Sequence, residues 1–215
     1  MARIFLARIL LARILWTFGC LIAAALCAVS APAWSQGEQT ACAGEGGVTL
    51  DQRIAACTAI IGAGRATGHD LAVAYNNRGG ALYYKGETER AWADYDQAIK
   101  LSPNFAHAFN NRCWAGAVLG RLKQSVDDCS HVLKLHNIGN VFENRGFAYL
   151  KMGQFDLAFA DYELALRLDG PRADLLFGRG LARLKKGDAG GDADLAAASA
   201  LNPKIAEEFA KYGVK

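Results

Sequence analysis

Apolar residues recur at steps of three and four positions through most of the chain after residue 72. This spacing is typical of amphipathic α-helices that bury one face. The apolar segments come in pairs, and a glycine lies between the two members of each pair. These glycines are Gly86, Gly120, Gly153 and Gly187. Because glycine accepts a positive φ just past the end of a helix, the pattern predicts a series of helix–turn–helix hairpins.

A short motif repeats in the first helix of each predicted hairpin. Asn-Arg followed by a small residue occurs three times, and a Gly-Arg-Gly variant makes a fourth. The arginines are Arg78, Arg112, Arg145 and Arg179, so the steps between them are 34, 33 and 34 residues. Such a period is typical of stacked helical hairpins, each of which buries its apolar face against its neighbours. We therefore predict an all-α solenoid of about four hairpins, which span residues 72–105, 106–138, 139–172 and 173–203.

Two further helical segments flank the predicted repeats. Residues 34–71 form an N-terminal segment in which residues 48–64 are predicted to be one amphipathic helix, equivalent to half a repeat. Residues 203–213 are predicted to be a C-terminal capping helix that begins at Pro203. Because the ends of a solenoid need polar covers to stay soluble, we expect these helices to close its two ends.

An aspartate follows each repeated arginine at a near-constant distance. The separation is 16 residues in three hairpins and 15 in the last one. We expect a partly buried ion pair inside each repeat, because the arginine falls on the first helix and the aspartate on the second. Its net stability can be small, but removal of one partner would strand a charge. The alternative is that the arginines form a ligand clamp. The predicted pairs are Arg78/Asp94, Arg112/Asp128, Arg145/Asp161 and Arg179/Asp194.

The N-terminus has the composition of an export signal. Residues 1–13 contain three arginines among apolar residues, and residues 14–31 contain no charge. Ala31-Pro32-Ala33 then offers small residues at the positions that a signal peptidase reads. We predict a signal peptide over residues 1–33, with cleavage after Ala33 or alternatively after Ser35, and a periplasmic or secreted mature chain. Since about 18 apolar residues can just span a bilayer, the alternative is an uncleaved inner-membrane anchor that faces the periplasm.

Removal of this leader changes the charge balance. The whole chain has 24 Lys+Arg and 21 Asp+Glu, a formal net charge of +3. The leader contains three arginines and no acidic residue, so the mature chain has 21 of each and is formally neutral. Nucleic-acid binding needs a clustered cationic face. The composition therefore argues against a nucleic-acid partner, and we expect a membrane contact only through a retained leader.

Four of the six cysteines remain in the predicted mature chain, namely Cys42, Cys57, Cys113 and Cys129. An even number in an exported chain favours disulfides, and four cysteines allow three pairings. We favour Cys42–Cys57 and Cys113–Cys129, because the second pair occupies facing positions in the two helices of one hairpin. One alternative is four buried thiols. Another is a zinc site whose spacing matches no standard finger, formed by Cys113, Cys129, His131 and His136.

Several features of these units resemble the tetratricopeptide repeat family. Each unit has an aromatic or leucine opener, a small residue after the arginine and the glycine turn, and the first three units also have a small residue that opens the second helix. The openers are Tyr75, Phe109, Phe142 and Leu176, and the small residues are Ala91, Ser125 and Ala158. The resemblance covers about residues 72–213, and the second and fourth repeats depart most from the family pattern. It implies a right-handed superhelical solenoid that binds other proteins.

In this family the first helices line a concave groove, and the resemblance carries this role over position by position. Tyr84, Trp114 and Phe147 would form an aromatic stripe with asparagines beside it, which suits a bound peptide or helix. The alternative is that some aromatic residues pack between repeats, above all Tyr83 and Phe177. The predicted partner-binding residues are Asn76, Tyr84, His107, Asn110, Trp114, Asn140, Phe147 and Lys151.

Signatures of catalysis are missing from the sequence. It has no Gly-rich phosphate loop, no H-E-x-x-H and no nucleophile elbow. The acidic segment 188–194 lacks the final glutamate of a calcium loop. We therefore predict no enzyme activity, cofactor or metal, and an exported interaction module that binds a peptide or helix of an envelope protein. The rival hypotheses are a thiol–disulfide or metal-dependent enzyme that uses Cys113 and Cys129, and a membrane-tethered envelope assembly factor.

Overall fold

The apolar segments after residue 72 are helical in the computed structural model, which describes residues 35–214. This part of the chain contains eleven helices and no strand. The signal peptide predicted over residues 1–33 lies outside the described residues. The helices are α1 (Gln36–Ala43), α2 (Leu50–Gly62), α3 (Gly68–Tyr84), α4 (Thr88–Leu101), α5 (Ala106–Val118), α6 (Leu122–Leu133), α7 (Gly139–Lys151), α8 (Phe155–Asp169), α9 (Ala173–Lys185), α10 (Gly191–Leu201) and α11 (Ile205–Lys211).

Eight of these helices form the four hairpins α3–α4, α5–α6, α7–α8 and α9–α10. The glycine in each turn has a positive φ, between 71° and 84°, a conformation that a side chain with a Cβ rarely adopts. The first helices of successive hairpins contact one another, whereas among residues 35–214 no second helix contacts the next second helix. The first helices therefore form the inner, concave layer of the solenoid, and the second helices form the outer layer.

Tyrosine rings packed on glycines hold the two helices of the first and third hairpins close together. A Cβ on Gly79 would lie 2.7 Å from the ring of Tyr95, and one on Gly146 would lie 3.2 Å from the ring of Tyr162. Tyr162 also reaches the next hairpin, where a Cβ on Gly178 would lie 2.1 Å from its ring. The small residue after the repeated arginine thus makes room for a large one on the second helix.

Disulfide bonds, instead of tyrosine–glycine packing, hold two helices together in the second hairpin and in the N-terminal segment. Cys113 and Cys129 occupy the glycine and tyrosine positions, are fully buried, and have an Sγ–Sγ distance of 2.00 Å. Cys42 and Cys57 join α1 to α2 with an Sγ–Sγ distance of 2.05 Å. Both pairings are those favoured by the sequence. The sequence did not predict α1, because an eight-residue helix is marginal without the tertiary contacts that hold it here.

Each repeated arginine forms a bidentate ion pair with the aspartate of its own hairpin. Nε and Nη2 donate to the two carboxylate oxygens at 2.7–2.9 Å in all four pairs, which are Arg78–Asp94, Arg112–Asp128, Arg145–Asp161 and Arg179–Asp194. The remaining nitrogen, Nη1, reaches back to the preceding unit, which the sequence did not predict. Its acceptors are Thr58, Asp96, Ser130 and Glu163. These donors are engaged within the chain, which favours the structural interpretation of the arginines over the ligand clamp.

The two partners of each ion pair are buried to different depths. All four carboxylates are held between the two helices of their hairpins, whereas three of the four arginines are only partly buried. Among the arginines, only Arg112 is buried as well, at 8% exposed. Each carboxylate therefore depends on its arginine more than on water. The exposed fractions are 7% for Asp94, 2% for Asp128, 3% for Asp161 and 6% for Asp194.

Candidate partner-binding groove

Asparagine side chains pair across neighbouring first helices on the floor of the groove. Asn111 Nδ2 donates to Asn76 Oδ1 at 2.9 Å, and Asn144 Nδ2 donates to Asn110 Oδ1 at 3.0 Å. The repeat period places these residues side by side on successive hairpins. An amide nitrogen has two N–H donors, and those of Asn76 and Asn110 have no acceptor in the described part of the chain. They are therefore available to a partner's carbonyl groups.

The C-terminal helix α11 lies against this floor. The ring centroid of Phe209 is 5.6 Å from that of Phe147. Tyr212, which follows α11, has its ring centroid 5.4 Å from that of Trp114. Ile205, Phe209 and Tyr212 are spaced as i, i+4 and i+7, so they lie on one face of a helix. This apolar face explains why the segment folds back into the groove.

This placement corrects the predicted aromatic stripe. Phe147 is only 2% exposed and Trp114 is half-buried, because α11 and Tyr212 pack on them. Phe177 is also buried, with its ring centroid 4.8 Å from that of Phe209. Tyr84 is different, because it is 74% exposed. Tyr84 is the most exposed residue of the predicted stripe, and Trp114 is only partly covered. The helix also contacts α9 and α10, so it covers the end of the array as well as part of the groove.

A hydrogen-bonded chain of aromatic residues separates the covered part of the groove from the open part. Trp114 Nε1 donates to the Tyr83 hydroxyl at 2.6 Å, and the hydroxyl groups of Tyr83 and Tyr212 are 3.4 Å apart. Burial raises the pKa of the Tyr83 hydroxyl, so this group stays neutral. The three residues come from different elements, and their contacts fix the position of the C-terminal segment.

Lys151 is engaged within the chain and is not a free cation of the groove. Its Nζ donates to the carbonyl oxygens of Ala117 at 2.8 Å and Val118 at 3.4 Å, at the C-terminal end of α5. Cations stabilise such helix ends. Burial lowers the pKa of the Lys151 ammonium group. The resemblance placed this side chain in the groove, but its partners are the carbonyls of the neighbouring repeat.

Two predicted partner-binding residues lie at the start of their helices. His107 is exposed in the first turn of α5, with its ring centroid 5.9 Å from that of Phe105. Asn140 is exposed in the first turn of α7. They are separate from the depression that contains Tyr84 and Asn76. Their part in partner binding stays a prediction.

The open part of the groove contains a depression of about 320 Å³ over the first two hairpins. Arg53 of α2 lines it, and sequence reasoning missed this residue because α2 was given only a capping role. Arg53 Nε donates to the carbonyl oxygen of Cys42 at 3.1 Å, and the Cys42–Cys57 disulfide holds that acceptor in place. The depression thus combines a cation, amides and aromatic rings. Its lining is Arg53, Asn76, Gly80, Tyr83, Tyr84, Tyr95, Asn111 and Trp114.

The geometry around Cys113 and Cys129 gives little support to the two alternatives, a zinc site and a thiol-dependent enzyme. Among residues 35–214, no group of three or more His, Cys, Asp and Glu side chains is arranged to hold a metal ion. Cys113 and Cys129 are joined and buried, so exchange with a substrate thiol would require the hairpin to open. His131 stacks on Phe109, with a ring-centroid distance of 4.3 Å.

The first and third hairpins carry a recognisable family signature. Residues 72–105 and 139–171 match the family model described as tetratricopeptide repeat. These two segments are similar to tetratricopeptide repeats. The disulfide-linked second hairpin and the shortened fourth one continue the same solenoid between and after the matched segments.

Two longer curated proteins are similar to part of this chain. The chain is 29% identical over 105 residues to "DnaJ homolog subfamily C member 7" of Mus musculus. It is 32% identical over 81 residues to "TPR repeat-containing thioredoxin TTL4" of Arabidopsis thaliana. These matches cover 47% and 37% of this chain but only 21% and 12% of the two relatives. The similarity therefore concerns a part of each relative.

Solved tetratricopeptide repeat structures share the fold. MamA is 18% identical, with a TM-score of 0.61 over 74% of this chain and 85% of that chain. YrrB, described as a TPR protein with an unusual peptide-binding site, is 17% identical, with a TM-score of 0.59 over 75% and 84% of the two chains. At these identities the likeness establishes the fold. A tetratricopeptide repeat solenoid supports a protein–protein interaction module.

None of the helices within residues 35–214 is long and apolar enough to cross a bilayer.

Proposed function

We propose that this protein is an exported interaction module whose open half-groove, the depression lined by Arg53, Asn76 and Tyr84, binds a peptide or helix of an envelope protein. Aromatic and arginine side chains are enriched among residues that dominate binding energy. Tyr84 supplies an exposed aromatic anchor, Arg53 a cation held in place by α1, and Asn76 a free amide donor. These three groups lie together in a concave surface, the usual form of a peptide site.

The position of the chain's own C-terminal helix is the observation that carries this proposal. The covered half of the groove accepts α11 through Ile205, Phe209 and Tyr212, which are buried or half-buried. This is a helix-in-groove arrangement, in which anchors at i, i+4 and i+7 enter an apolar floor. The same inner layer continues into the open half-groove. A partner segment with similarly spaced apolar anchors is therefore expected to bind beside α11.

The disulfides support a working location outside the cytosol. Cytosolic proteins keep their thiols reduced, whereas two intramolecular bonds are usual in the periplasm or outside the cell. The Cys42–Cys57 bond holds the element that positions Arg53. Oxidation thus supports the shape of the proposed site as well as the stability of the fold. The predicted leader over residues 1–33 points to the same compartment, so we expect the partner there.

Selection of binding peptides tests the proposed site. A displayed library of random peptides is panned against the oxidised protein, and the affinity of each selected peptide is measured by fluorescence polarisation. Tyr84→Ala is expected to weaken binding by at least about tenfold, as truncation of an aromatic hot spot does. Because Tyr84 is exposed, its replacement is expected to leave the helical content and melting unchanged.

A matched control uses an exposed apolar residue on the outer layer. Leu168 of α8 is 49% exposed, and Leu168→Ala is expected to retain full peptide affinity. Peptides that bind the parent and Tyr84→Ala equally would place the site elsewhere. Equal losses in Tyr84→Ala and Leu168→Ala would point to a general effect on the protein, and would also contradict the assignment to the groove.

A further inference from the structure

A second pocket lies in the covered half of the groove, between α11 and the inner layer. It measures about 200 Å³. Its aromatic walls are Trp114, Phe147, Phe209 and Tyr212. Faces of such rings attract cations, most strongly where water is excluded. The C-terminal helix and the residue that follows it therefore build one side of a small aromatic cage.

Three carboxylates line the same pocket. Glu143 comes from α7, Asp174 from α9 and Glu208 from α11. Arg172 Nη2 lies 3.0 Å from Glu143 Oε2 and also bonds to Asp174, so one guanidinium serves two of the three acids. Burial, with help from the neighbouring Asp174, raises the pKa of Glu143 to about 7 although Arg172 opposes this rise. Three acidic side chains with one guanidinium between two of them leave the pocket short of positive charge.

A buried hydroxyl group in this pocket has no partner. Tyr162 is 1% exposed, and its ring is wedged against Gly146 and Gly178. Its Oη has no hydrogen-bond partner among the described protein groups. A buried polar group without a partner is costly, and such a group in a native structure calls for an explanation. Tyr162 lines the pocket beside the carboxylates, so a ligand with hydrogen-bonding capacity there would satisfy its hydroxyl.

We propose that this pocket binds a primary ammonium group, carried by a lysine side chain of a partner or by a small free diamine. An ammonium group has three N–H donors, which match the oxygens of Glu143, Asp174 and Tyr162. Its charge suits both the carboxylates and the aromatic walls. The pocket volume corresponds to about six or seven water-sized groups, which is close to the size of a lysine side chain.

This site does not depend on the proposed function of the open half-groove. The two depressions share Trp114 in their linings, but all other lining residues differ. Loss of peptide binding to the open half-groove and loss of ammonium binding to this pocket are therefore separable results. Tyr84→Ala is expected to leave ammonium binding unchanged, because Tyr84 lines only the open half-groove.

Titration with defined amines tests the proposal. Cadaverine and Nα-acetyl-lysine methylamide are added separately to the oxidised full chain, and the indole N–H signal of Trp114 is followed by NMR. We expect a saturable shift with a Kd in the millimolar range or tighter, and no saturable shift with the neutral analogue pentanediol. Binding of the lysine derivative indicates a partner's side chain, whereas binding of cadaverine alone indicates a free diamine. Either result supports the site.

Three variants separate a specific site from weak attraction to an acidic surface. Glu143→Gln is expected to raise the Kd at least about tenfold, and Tyr162→Phe at least about threefold. The effect of Glu143→Gln is the larger because hydrogen bonds to charged groups are the stronger ones. Tyr162→Phe keeps the ring between its two glycines. Glu163→Gln removes a carboxylate that pairs with Arg179 outside the pocket, and is expected to leave the Kd unchanged. Equal binding of pentanediol, or the same Kd in all variants, would overturn the proposal.

Discussion

The repeated ion pairs lead to a quantitative prediction for Arg145→Met. Arg145 donates two hydrogen bonds of 2.8 Å to Asp161, whose side chain is only 4% exposed. Methionine keeps much of the aliphatic contact but leaves the carboxylate buried without its partner. Removal of one member of a buried pair typically costs about 3–5 kcal/mol. We expect a loss of this size in the free energy of unfolding, measured by urea titration with circular dichroism.

The double variant distinguishes a stranded charge from a strong net attraction. Burial raises the pKa of Asp161 even though Arg145 donates two hydrogen bonds to it, so desolvation outweighs the attraction. Arg145→Met/Asp161→Asn is therefore expected to cost only about 1–2 kcal/mol, less than Arg145→Met alone, because the buried charge is gone.

An exposed pair gives the matched control. Arg121 Nη2 lies 2.7 Å from Glu89 Oε2, but the two side chains are 38% and 65% exposed. Glu89→Gln is expected to cost less than about 1 kcal/mol, as is usual for surface pairs. A loss below about 1 kcal/mol for Arg145→Met, or additive effects in the double variant, would refute this reasoning.

Three further predictions concern packing, the disulfide and pH. Gly178→Ala is expected to lose about 1–3 kcal/mol of stability because its Cβ would lie 2.1 Å from a buried ring. A Cβ on Gly80 would have only one neighbouring atom, at 4.0 Å, so Gly80→Ala is expected to stabilise the protein by about 0.5–1 kcal/mol. Equal effects of Gly178→Ala and Gly80→Ala in urea titrations would count against this account. Cys113→Ala/Cys129→Ala is expected to lose about 3 kcal/mol of stability. Cys113→Gly/Cys129→Tyr introduces the residue combination of the first and third hairpins and is expected to recover part of this loss. If the Gly/Tyr variant is no more stable than the Ala/Ala variant, the equivalence of these positions is contradicted. Burial raises the pKa of the Glu143 carboxyl group from 4.5 to about 7. The stability that Glu143 contributes relative to Glu143→Gln is therefore present below pH 4.5 and is lost as the pH rises through 7. The loss amounts to up to about 3 kcal/mol of the free energy of unfolding. Unfolding of both proteins across this range checks the sign, and parallel curves would show that Glu143 titrates normally.

The repeat pattern was sufficient to predict the hairpins and their internal pairs. The steps of 34 and 33 residues between arginines, and the aspartates that follow them, contain both the period of the solenoid and the register of its two helices. Cys113 and Cys129 could be paired for the same reason, because they stand where a glycine and a tyrosine face each other in the first hairpin. Because these patterns are local and recur in each repeat, they can be recognised in a single sequence.

The depth of the ion pairs was harder to predict than their partners. Spacing placed Asp94, Asp128 and Asp194 opposite their arginines, but it carried no information on how closely the two helices of a hairpin approach. That approach depends on the glycine and cysteine contacts beside the pairs, and it leaves the carboxylates more deeply buried than most of their arginines. Burial is a property of the packed hairpin, and no single position in the sequence specifies it.

The relation between the ends of the chain and the groove could not be predicted from the repeats either. The residues from Ile205 to Tyr212 show one apolar face, but amphipathicity does not specify which surface that face covers. The structure places it on Phe147, which is buried, and against Trp114, which is half-buried. Arg53 entered the open half-groove for a similar reason, since its position depends on a disulfide and a hydrogen bond to Cys42. Such contacts join residues from different elements and occur once, so no repeated sequence pattern predicts them.

Site-specific photo-crosslinking in cells would test most directly the claim that the open half-groove binds another protein. The full chain is expressed in its host with benzoylphenylalanine at Tyr84 or, as a control, at Leu168 on the outer layer. The account predicts a defined crosslinked protein from position 84, recovered from the periplasm or medium, and none from position 168. The same products from both positions, or none from position 84, would contradict it.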